Sequence, residues 1–266
     1  MDETKYGYWY PPDVSTHGVQ IDSLINIVHW FMLLLFVGWG AFFVYCLVKY
    51  RARPGHTATY LPPKAAFTKV IEVGVIVIEV LLLFGFSTPV WFRYKNHPPA
   101  EKDALVVKLV AEQFAWNFQY AGKDGKFGKT TEANISADNP VGMDPDDPDG
   151  KDDIVTVNQL HFPVNKDVIV QISSKDVIHS FNIPVLRVKQ DAVPGSRIPI
   201  WFKATQPGHF ELGCAQLCGL GHYRMRADVL IDTPEDYAKW QAENAPPPAE
   251  PPTSAAPENP QSAPHK

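Results

Sequence analysis

Two different patterns of apolar residues divide the chain. Residues 24–48 and 73–92 form two long, mostly apolar runs, and the first contains no acidic residue and no lysine. A helix needs about 20 such residues to cross the hydrocarbon core of a bilayer. The pattern therefore predicts two transmembrane helices, over residues 23–49 and 69–94. The first run is too long for the apolar region of a signal peptide, so we interpret it as a retained anchor.

The charges between the two runs indicate how this helical hairpin is oriented. The linker at residues 50–68 and the lysines beside it hold five cations and no acidic residue: Lys49, Arg51, Arg53, Lys64 and Lys69. Because loops rich in Lys and Arg stay on the cytoplasmic side of a membrane, this basic linker is predicted to face inward. The N-terminal segment, residues 1–22, and everything after the second run then face outward.

From about Ala104 the apolar period changes to two. About seven short alternating runs, separated by Gly, Pro, Asn and Asp, predict an all-β outer domain over residues 101–233. This density of strands favours a β-sandwich or a Greek-key barrel. An acidic insertion at residues 138–153 interrupts the pattern, but its prolines spoil the ligand spacing of a Ca²⁺ loop. We expect an acidic surface loop there, which could attract a basic partner.

The composition and the end of the chain narrow the possible functions. The net charge of −5 argues against nucleic acid, whose phosphates require a basic face. A short helix is predicted after Thr233, and the Pro-rich tail at residues 244–266 cannot bury enough apolar surface to fold, so it is expected to be disordered. The three cysteines do not suggest a disulfide framework: Cys46 lies in an apolar run, whereas Cys214 and Cys218 lie together in a Gly-rich segment.

The candidate chemistry is concentrated in twelve residues. They contain two thiols, an imidazole and a thioether: Cys214, Cys218, His222 and Met225. Soft ligands of this kind select copper, and a thioether is not a normal zinc ligand. The C-x₃-C spacing differs from the C-x-x-C of thioredoxin-like and c-type haem sites. A mononuclear blue copper site would use a single cysteine. The extra cysteine suggests two copper ions that share both sulfurs, an arrangement suited to one-electron transfer.

A dinuclear site of this kind also needs a second histidine. His179, in the segment DVIHSFNIP, is the candidate, and His161 and His209 are alternatives that spacing alone does not exclude. Together with KQDAVPG and C-x₃-C-G-x₂-H-x₂-M, behind an outward-facing helical hairpin, this segment resembles cytochrome c oxidase subunit II over residues 20–232. The resemblance implies that the outer domain is a cupredoxin fold that holds the dinuclear copper A centre.

The resemblance also implies roles for particular residues. Cys214 and Cys218 would bridge the two copper ions. The other ligands would be divided between the ions: His179 with Met225, and His222 with the backbone carbonyl of Gln216. Electrons would come from a cytochrome c or a membrane-bound cytochrome and pass to haem in subunit I, where oxygen is reduced to water. This chain would contain no catalytic residue, and its partners in the lipid would be subunit I and subunit III.

Three further positions bear on the family comparison. Gln216 replaces a glutamate that is common in the family, and an amide is a poorer ligand for the Mg²⁺ often bound there, so we leave this ion open. Phe114 aligns with a tryptophan that receives electrons in the family. Phe114 and Trp116 are therefore the candidates for that role, with ordinary core aromatics as the alternative. Glu72 aligns with an acid at the mouth of a proton channel and is the candidate for a proton path.

Other functions share parts of this pattern. A membrane nitric oxide reductase can use the same copper centre, and a copper-delivery protein also binds copper but needs exposed, exchangeable ligands. A quinol oxidase subunit keeps the architecture and lacks the copper ligands. We therefore predict a subunit of a respiratory terminal oxidase. The expected location is a bacterial inner membrane with the outer domain in the periplasm, and the mitochondrial inner membrane is the alternative.

Overall fold

The structure is a computed structural model that describes residues 10–58, 60 and 65–246. Parts of three predicted segments lie outside the described residues: residues 1–9 of the N-terminal segment, residues 59 and 61–64 of the basic linker, and residues 247–266 of the Pro-rich tail. The described residues form two long apolar helical spans, a β-domain of two sheets and a C-terminal helix.

The first span is a single helix, α1, over Gly18–Lys49. It begins five residues before the predicted position, and Ser15, two positions before the N-cap residue His17, stabilises this end. The Ser15 hydroxyl accepts a hydrogen bond from the Gly18 N–H at 2.9 Å, and it donates to the Asp13 carboxylate at 3.0 Å. A helix of 32 residues rises about 48 Å, which exceeds the roughly 30 Å of a hydrocarbon core. Part of α1 therefore extends beyond the hydrocarbon core.

The second span contains a π-helical stretch in its middle. It consists of α2 (Ala65–Val80), a π-helical stretch (Leu81–Ser87) and α3 (Thr88–Asn96). The sequence predicted one uninterrupted helix over residues 69–94. Pro89 explains the difference, because proline has no N–H to donate and its ring crowds the carbonyl four residues earlier. The Thr88 N–H and hydroxyl both donate instead to the Leu83 carbonyl, five residues back.

The outer domain is a sandwich of two five-stranded sheets. Its described strands are β1 (Leu105–Glu112), β2 (Ala115–Tyr120), β3 (Ile154–Val157), β4 (Gln159–Pro163), β5 (Asp167–Ser174), β6 (His179–Ile183), β7 (Val188–Ala192), β8 (Ile198–Lys203), β9 (Gly208–Cys214) and β10 (Arg226–Asp232). The strand orders are β3-β2-β1-β5-β8 and β4-β10-β9-β6-β7. β1 with β5 and β4 with β10 are parallel pairs. The predicted fold class, a helical membrane hairpin followed by a cupredoxin β-domain, is confirmed.

The domain has more strands than the sequence predicted, because three apparent single runs each contain two strands. Residues 104–120 fold back at positions 113–114, so that β1 and β2 pair with each other. The next run bends at Asn158, which has a φ of 56°, and this bend sends β3 and β4 to opposite sheets. Arg187, with a φ of 54°, lies between β6 and β7. Asparagine often adopts this left-handed conformation and arginine seldom does, so the last bend had no residue-type signal.

Large side chains from both sheets fill the space between them. β2 contributes Trp116, Phe118 and Tyr120, all fully buried. Phe162 of β4 packs edge-on against Phe202 of β8, with ring centroids 5.2 Å apart. An interior packed at this density does not change shape easily. The strand ends that carry the candidate ligands are therefore held in fixed positions.

The segment before α1 is joined to the outer domain by main-chain hydrogen bonds. The Val14 N–H donates to the Val185 carbonyl at 3.0 Å, and the Thr16 N–H donates to the Lys203 carbonyl at 3.1 Å. In return, the Thr205 N–H donates to the Val14 carbonyl at 2.8 Å. These bonds extend the edge of the sheet at β8. The outward N-terminal segment is thus part of the β-domain's hydrogen-bond network.

Side chains attach both membrane spans to the same end of the domain. The Arg187 guanidinium donates to both carboxylate oxygens of Asp22 in α1, at 2.7 and 2.9 Å. The Trp201 indole N–H of β8 donates to the Tyr94 carbonyl of α3 at 2.8 Å. A bidentate pair of this kind fixes orientation as well as distance. The domain therefore sits on the helices at defined points.

The acidic insertion is only partly solvated. Asp147 and Asp153 are buried, whereas Asp138 is exposed. The Lys129 N–H donates to the Asp147 carboxylate at 2.7 Å, and the Gly128 N–H donates to the Asp153 carboxylate at 2.9 Å. Burial raises the pKa of Asp153. The prediction of a surface loop therefore needs correction for these two aspartates, which anchor the insertion to the domain.

After β10 the chain forms the predicted C-terminal helix, α4, over Pro234–Asn244. Thr233 caps it by accepting a hydrogen bond from the Asp236 N–H at 3.2 Å. The Trp240 ring stacks on His161 of β4, with centroids 4.4 Å apart and an interplanar angle of 11°. This contact attaches α4 to β4.

Candidate metal centre

The two segments that carry the candidate ligands meet where β6 pairs with β9. β6 begins at His179 and β9 ends at Cys214, which lies opposite Phe181 in the ladder. The loop that follows returns to the same place, because the Cys214 N–H donates to the Met225 carbonyl at 3.1 Å. The pairing of β9 with β10 therefore closes this loop, residues 215–225, which we call the ligand loop.

Three sulfur atoms and a ring nitrogen lie together in and beside the ligand loop. The Cys218 Sγ is 3.8 Å from the Cys214 Sγ, 3.7 Å from the Met225 Sδ and 3.6 Å from the His222 Nδ1. The Gln216 carbonyl oxygen is 3.2 Å from the Cys214 Sγ, and Gln216 itself is exposed. Cys218 and Met225 are buried. The ligand loop thus places its candidate donor atoms around the sulfurs of Cys214 and Cys218.

His179 binds a carboxylate through one ring nitrogen, and its other ring nitrogen has no hydrogen-bond partner among the described residues. Its Nε2 is 2.9 Å from the Asp176 Oδ1. An ionised carboxylate only accepts, so the Nε2 carries the hydrogen, and in the neutral ring the Nδ1 keeps a lone pair. This Nδ1 is buried and has no partner among the described residues. The His179 ligand atom lies within 4.8 Å of the Cys214 and Cys218 sulfurs. A buried lone pair in such a place fits a metal ligand.

The two thiols of the cluster have different acidities. Burial raises the pKa of Cys214, but the adjacent His179 ring and hydrogen bonds with the main chain of Gln216 and Ser180 stabilise its thiolate and lower this pKa to about 6. Burial and the neighbouring Cys214 charge raise the pKa of Cys218 to about 11. The protein alone therefore stabilises one thiolate at neutral pH. Positive charge at the cluster is needed to stabilise both, and bound metal ions supply it.

The turn between β1 and β2 packs against the ligand loop. The Gln113 Nε2 donates to the Cys218 carbonyl at 2.6 Å. The Phe114 ring lies against two glycines of the loop, and a Cβ at Gly221 would come within 2.4 Å of that ring. Gly219 has a φ of 134°, a conformation that side chains other than glycine's rarely adopt. The two glycines therefore let the loop close over Phe114.

Of the other candidate residues, Trp116 lies beside His179, whereas His161, His209 and Glu72 lie outside the metal centre. Trp116 is fully buried, and its ring centroid is 6.1 Å from that of His179. His161 and His209 are each held by an aspartate of β10. Of the three candidate histidines, the structure brings His179 to the cysteines. Glu72 lies on α2, away from the ligand loop, and its proposed role in a proton path stays a prediction.

Two supporting residues were not assigned from the sequence. Asp176 precedes His179 by three residues, so a carboxylate beside a candidate histidine was a usable signal. Gln113 offered no such signal, because its partner, the Cys218 carbonyl, is 105 residues away in the chain. Contacts of this kind depend on the fold rather than on local spacing.

Comparison with known proteins gives the family. Residues 105–231 match the family model described as cytochrome c oxidase subunit II, periplasmic domain. The chain is 36% identical over 234 residues to the alternative cytochrome c oxidase subunit 2 of Bradyrhizobium diazoefficiens. This alignment covers 88% of this chain and 83% of that protein. The chain belongs to the cytochrome c oxidase subunit II family.

Two further subunits II are similar to the chain. Cytochrome c oxidase subunit 2 of Cereibacter sphaeroides is 28% identical over 249 residues, which is 88% of this chain and 79% of that protein. The crystal structure of the periplasmic domain of subunit II of cytochrome oxidase from Bradyrhizobium japonicum is 30% identical. The structural match covers 55% of this chain and 95% of the crystallised chain, with a TM-score of 0.40.

Membership of this family confirms the predicted class of enzyme. A cytochrome c oxidase subunit II is part of a haem-copper oxidase, which is an oxidoreductase complex. Two apolar helices anchor this subunit II in a membrane, and its β-domain faces outward. The relatives named above are oxidase subunits rather than nitric oxide reductases or copper-delivery proteins. His179, Cys214 and Cys218 form a group that could hold a metal ion.

Proposed function

We propose that the ligand loop and His179 hold a dinuclear copper A centre, through which electrons enter the oxidase. The ligands would be His179, Cys214, the backbone carbonyl of Gln216, Cys218, His222 and Met225. The observation that carries the proposal is the buried Nδ1 of His179, which has no partner among the described residues and lies beside a cluster of three sulfurs. An ordinary core histidine would have this nitrogen hydrogen-bonded.

The donor set favours copper and a relay function. Two thiolates, two imidazoles, a thioether and a carbonyl are a combination that suits copper better than zinc. When bound, the copper pair supplies one-electron transfer. Because the chain itself offers six donor groups, the centre does not depend on a substrate as a ligand. This feature distinguishes a relay from a site that binds and converts a substrate.

The residues around the ligands would keep them still during electron transfer. Asp176 orients the His179 ring, and Gln113 holds the main chain at Cys218. Cys214 ends a strand whose main chain is bonded to both neighbours. Ligands carried by rigid elements and supported by a second layer of hydrogen bonds move little. Little movement between oxidation states favours rapid transfer.

Electrons would reach the centre from a protein that docks near the ligand loop. Leu217, Leu220 and Tyr223 of this loop are large apolar residues with exposures of 80%, 98% and 86%. Exposed apolar side chains in such a group mark a protein contact. The donor would be a cytochrome c or a membrane-bound cytochrome, and haem in subunit I would accept the electrons. Phe114 beneath the loop, and Trp116 behind His179, are the candidate residues on the path inward.

The remaining assignments follow from the same proposal. Subunit I and subunit III would be the neighbours of the two spans, and the membrane would be a bacterial inner membrane with the β-domain in the periplasm. The relatives named above come from bacteria, which supports this location. Glu72 would contribute to a proton path at the inner side. Mg²⁺ is left open, because Gln216 offers an amide in place of a carboxylate.

Two variants of the ligand loop in the purified oxidase complex test the proposal. Cys218→Ser should remove the copper centre and abolish the oxidation of reduced cytochrome c, because one of the two proposed thiolate ligands is lost. Gln216→Ala should keep both, because its ligand is the main-chain carbonyl. Copper content and stopped-flow absorbance provide the readouts, and immunodetection of each subunit shows that the complex is assembled. Wild-type rates in assembled Cys218→Ser would mean that electrons enter elsewhere.

A further inference from the structure

A cavity of about 320 Å³ lies where the two membrane spans meet the outer domain. Its membrane side is formed by apolar side chains of α1 and α3: Ile21, Leu24, Val90 and Trp91. Its outer side is formed by Tyr94, Lys95 and residues of β5, β7 and β8. The volume is at the lower end of the range for ligand-binding pockets, about 300–1,000 Å³. None of the proposed copper ligands lines it.

The residues around the cavity indicate that it lies at the height of the outer lipid headgroups. Leu24 begins the apolar run of the first span, and Trp91 and Tyr94 lie at the end of the second run. Tryptophan and tyrosine concentrate where a bilayer meets water. The buried ring of His17 closes the wall beside them, with its centroid 4.7 Å from that of Tyr94. The lower part of the cavity therefore faces hydrocarbon, and the upper part faces headgroups.

The outer rim of the cavity is positively charged. Lys95 and Lys189 line it, and the Lys95 Nζ donates to a neutral group, the Gln190 Oε1, at 3.0 Å. Arg187 also lines the cavity, but Asp22 neutralises it. None of the described residues that line the cavity is acidic. The rim thus has two cations without a matching carboxylate in its lining.

We propose that this cavity binds one anionic phospholipid of the outer leaflet. An acyl chain would lie along Ile21, Leu24 and Val90, and the phosphate would face Lys95 and Lys189. This occupant matches both halves of the cavity, since it is apolar at the depth of the hydrocarbon and negative at the depth of the lysines. An uncharged helix from another subunit would fill the apolar half and leave the two lysines without counter-charge.

Lipid retention by the purified oxidase complex tests the proposal. The complex is reconstituted in nanodiscs of equal phosphatidylglycerol and phosphatidylcholine, washed with detergent, and analysed by mass spectrometry for retained lipid. The wild type should retain one more phosphatidylglycerol than the double variant Lys95→Gln/Lys189→Gln. Each lysine near an anionic headgroup strengthens binding roughly fivefold, so the double variant should hold this lipid about 30-fold more weakly. Lys123→Gln/Lys151→Gln, at two lysines outside the cavity lining, is the charge-matched control and should behave like the wild type.

Several results would overturn the lipid proposal. Equal phosphatidylglycerol retention by the wild type and the double variant would do so, and so would equal retention of phosphatidylcholine at the lysine-dependent site. Displacement of the lipid by millimolar inorganic phosphate would assign the rim to free phosphate. Loss of another subunit from the double variant with an unchanged lipid count would assign the cavity to a protein segment. Copper content is measured in parallel, so that failure here is separate from failure of the proposed copper centre.

Discussion

Asp176 is the residue that determines which nitrogen of His179 is available to a metal. Its carboxylate accepts from the Nε2 at 2.9 Å, so in the neutral ring the Nδ1 keeps its lone pair. Removing such a partner usually costs about 10–100-fold in metal affinity. We predict a loss of this size for Asp176→Ala in a competition titration of copper against a chelator, and a smaller loss for Asp176→Asn, whose amide oxygen still accepts.

A matched control for this prediction is Asp228→Ala, because Asp228 pairs with His209 at 3.0 Å outside the ligand group. That variant should bind copper like the wild type. Equal affinities for Asp176→Ala and the wild type would show that the fold orients His179 without the carboxylate.

Two buried tyrosines give the outer domain a pH-dependent stability. Burial raises the pKa of Tyr120 and of Tyr237 above the usual value. The stability that their neutral forms contribute is complete below about pH 10, and it is lost as pH rises through the raised values. The Tyr237 hydroxyl has no partner among the described residues, whereas the Tyr120 hydroxyl accepts from the His161 N–H at 2.8 Å.

Phenylalanine substitutions separate these two tyrosines. Tyr237→Phe should leave the free energy of unfolding at pH 8 unchanged or slightly higher and should reduce its fall above pH 10. Tyr120→Phe should cost about 1–3 kcal/mol at pH 8, because the His161 N–H loses its acceptor. Urea unfolding followed by tryptophan fluorescence measures both. A large destabilisation by Tyr237→Phe at pH 8 would contradict this prediction, because it would mean that the Tyr237 hydroxyl forms a stabilising hydrogen bond.

At the scale of secondary-structure elements, the bend between β6 and β7 holds α1 to the outer domain. Arg187 in this bend pairs with Asp22, and both side chains are largely buried. Arg187→Ala should destabilise the protein by about 2–4 kcal/mol, slightly below the cost of breaking a fully buried pair. Calorimetry in detergent measures the effect. Arg226→Ala, which breaks an exposed pair with Glu211, should cost at most about 1 kcal/mol. Equal costs for the two variants would mean that the Arg187 pair is not a structural clamp.

The elements themselves were predictable where a period repeats over many residues. The two apolar runs and the alternating outer domain satisfied this condition, so the membrane hairpin and the β-domain followed from sequence. Element boundaries were less accessible. Pro89 is visible in the second run, but membrane helices tolerate proline, so the π-helical stretch was not predicted. The turn at positions 113–114 contains neither glycine nor asparagine, and β1 and β2 therefore looked like one strand.

The candidate site was predictable to the extent that its residues are close in sequence. Cys214, Cys218, His222 and Met225 share twelve positions, and their chemistry already indicates copper. The choice of His179 over His161 and His209 required the pairing of β6 with β9, which spacing cannot show. The support from Gln113 was inaccessible for the same reason.

At the scale of the whole molecule, the outer domain connects the membrane hairpin to the candidate metal centre, and both of its sheets contribute to that centre. The second sheet supplies His179 and Cys214 at the ends of β6 and β9. The first sheet places Trp116 beside His179, and its β1–β2 turn places Gln113 against Cys218. Separately, the hydrogen bonds at Asp22 and Tyr94 hold the outer domain on the two membrane spans. The central claim is that this scaffold holds two copper ions for one-electron transfer.

Copper counting combined with electron paramagnetic resonance on the full chain, purified without other subunits, tests this claim most directly. We expect two copper ions per chain and, in the mixed-valence state, a hyperfine pattern from one electron shared equally by two copper nuclei. A single copper ion per chain with a single-nucleus pattern, or a preference for zinc over copper, would contradict it.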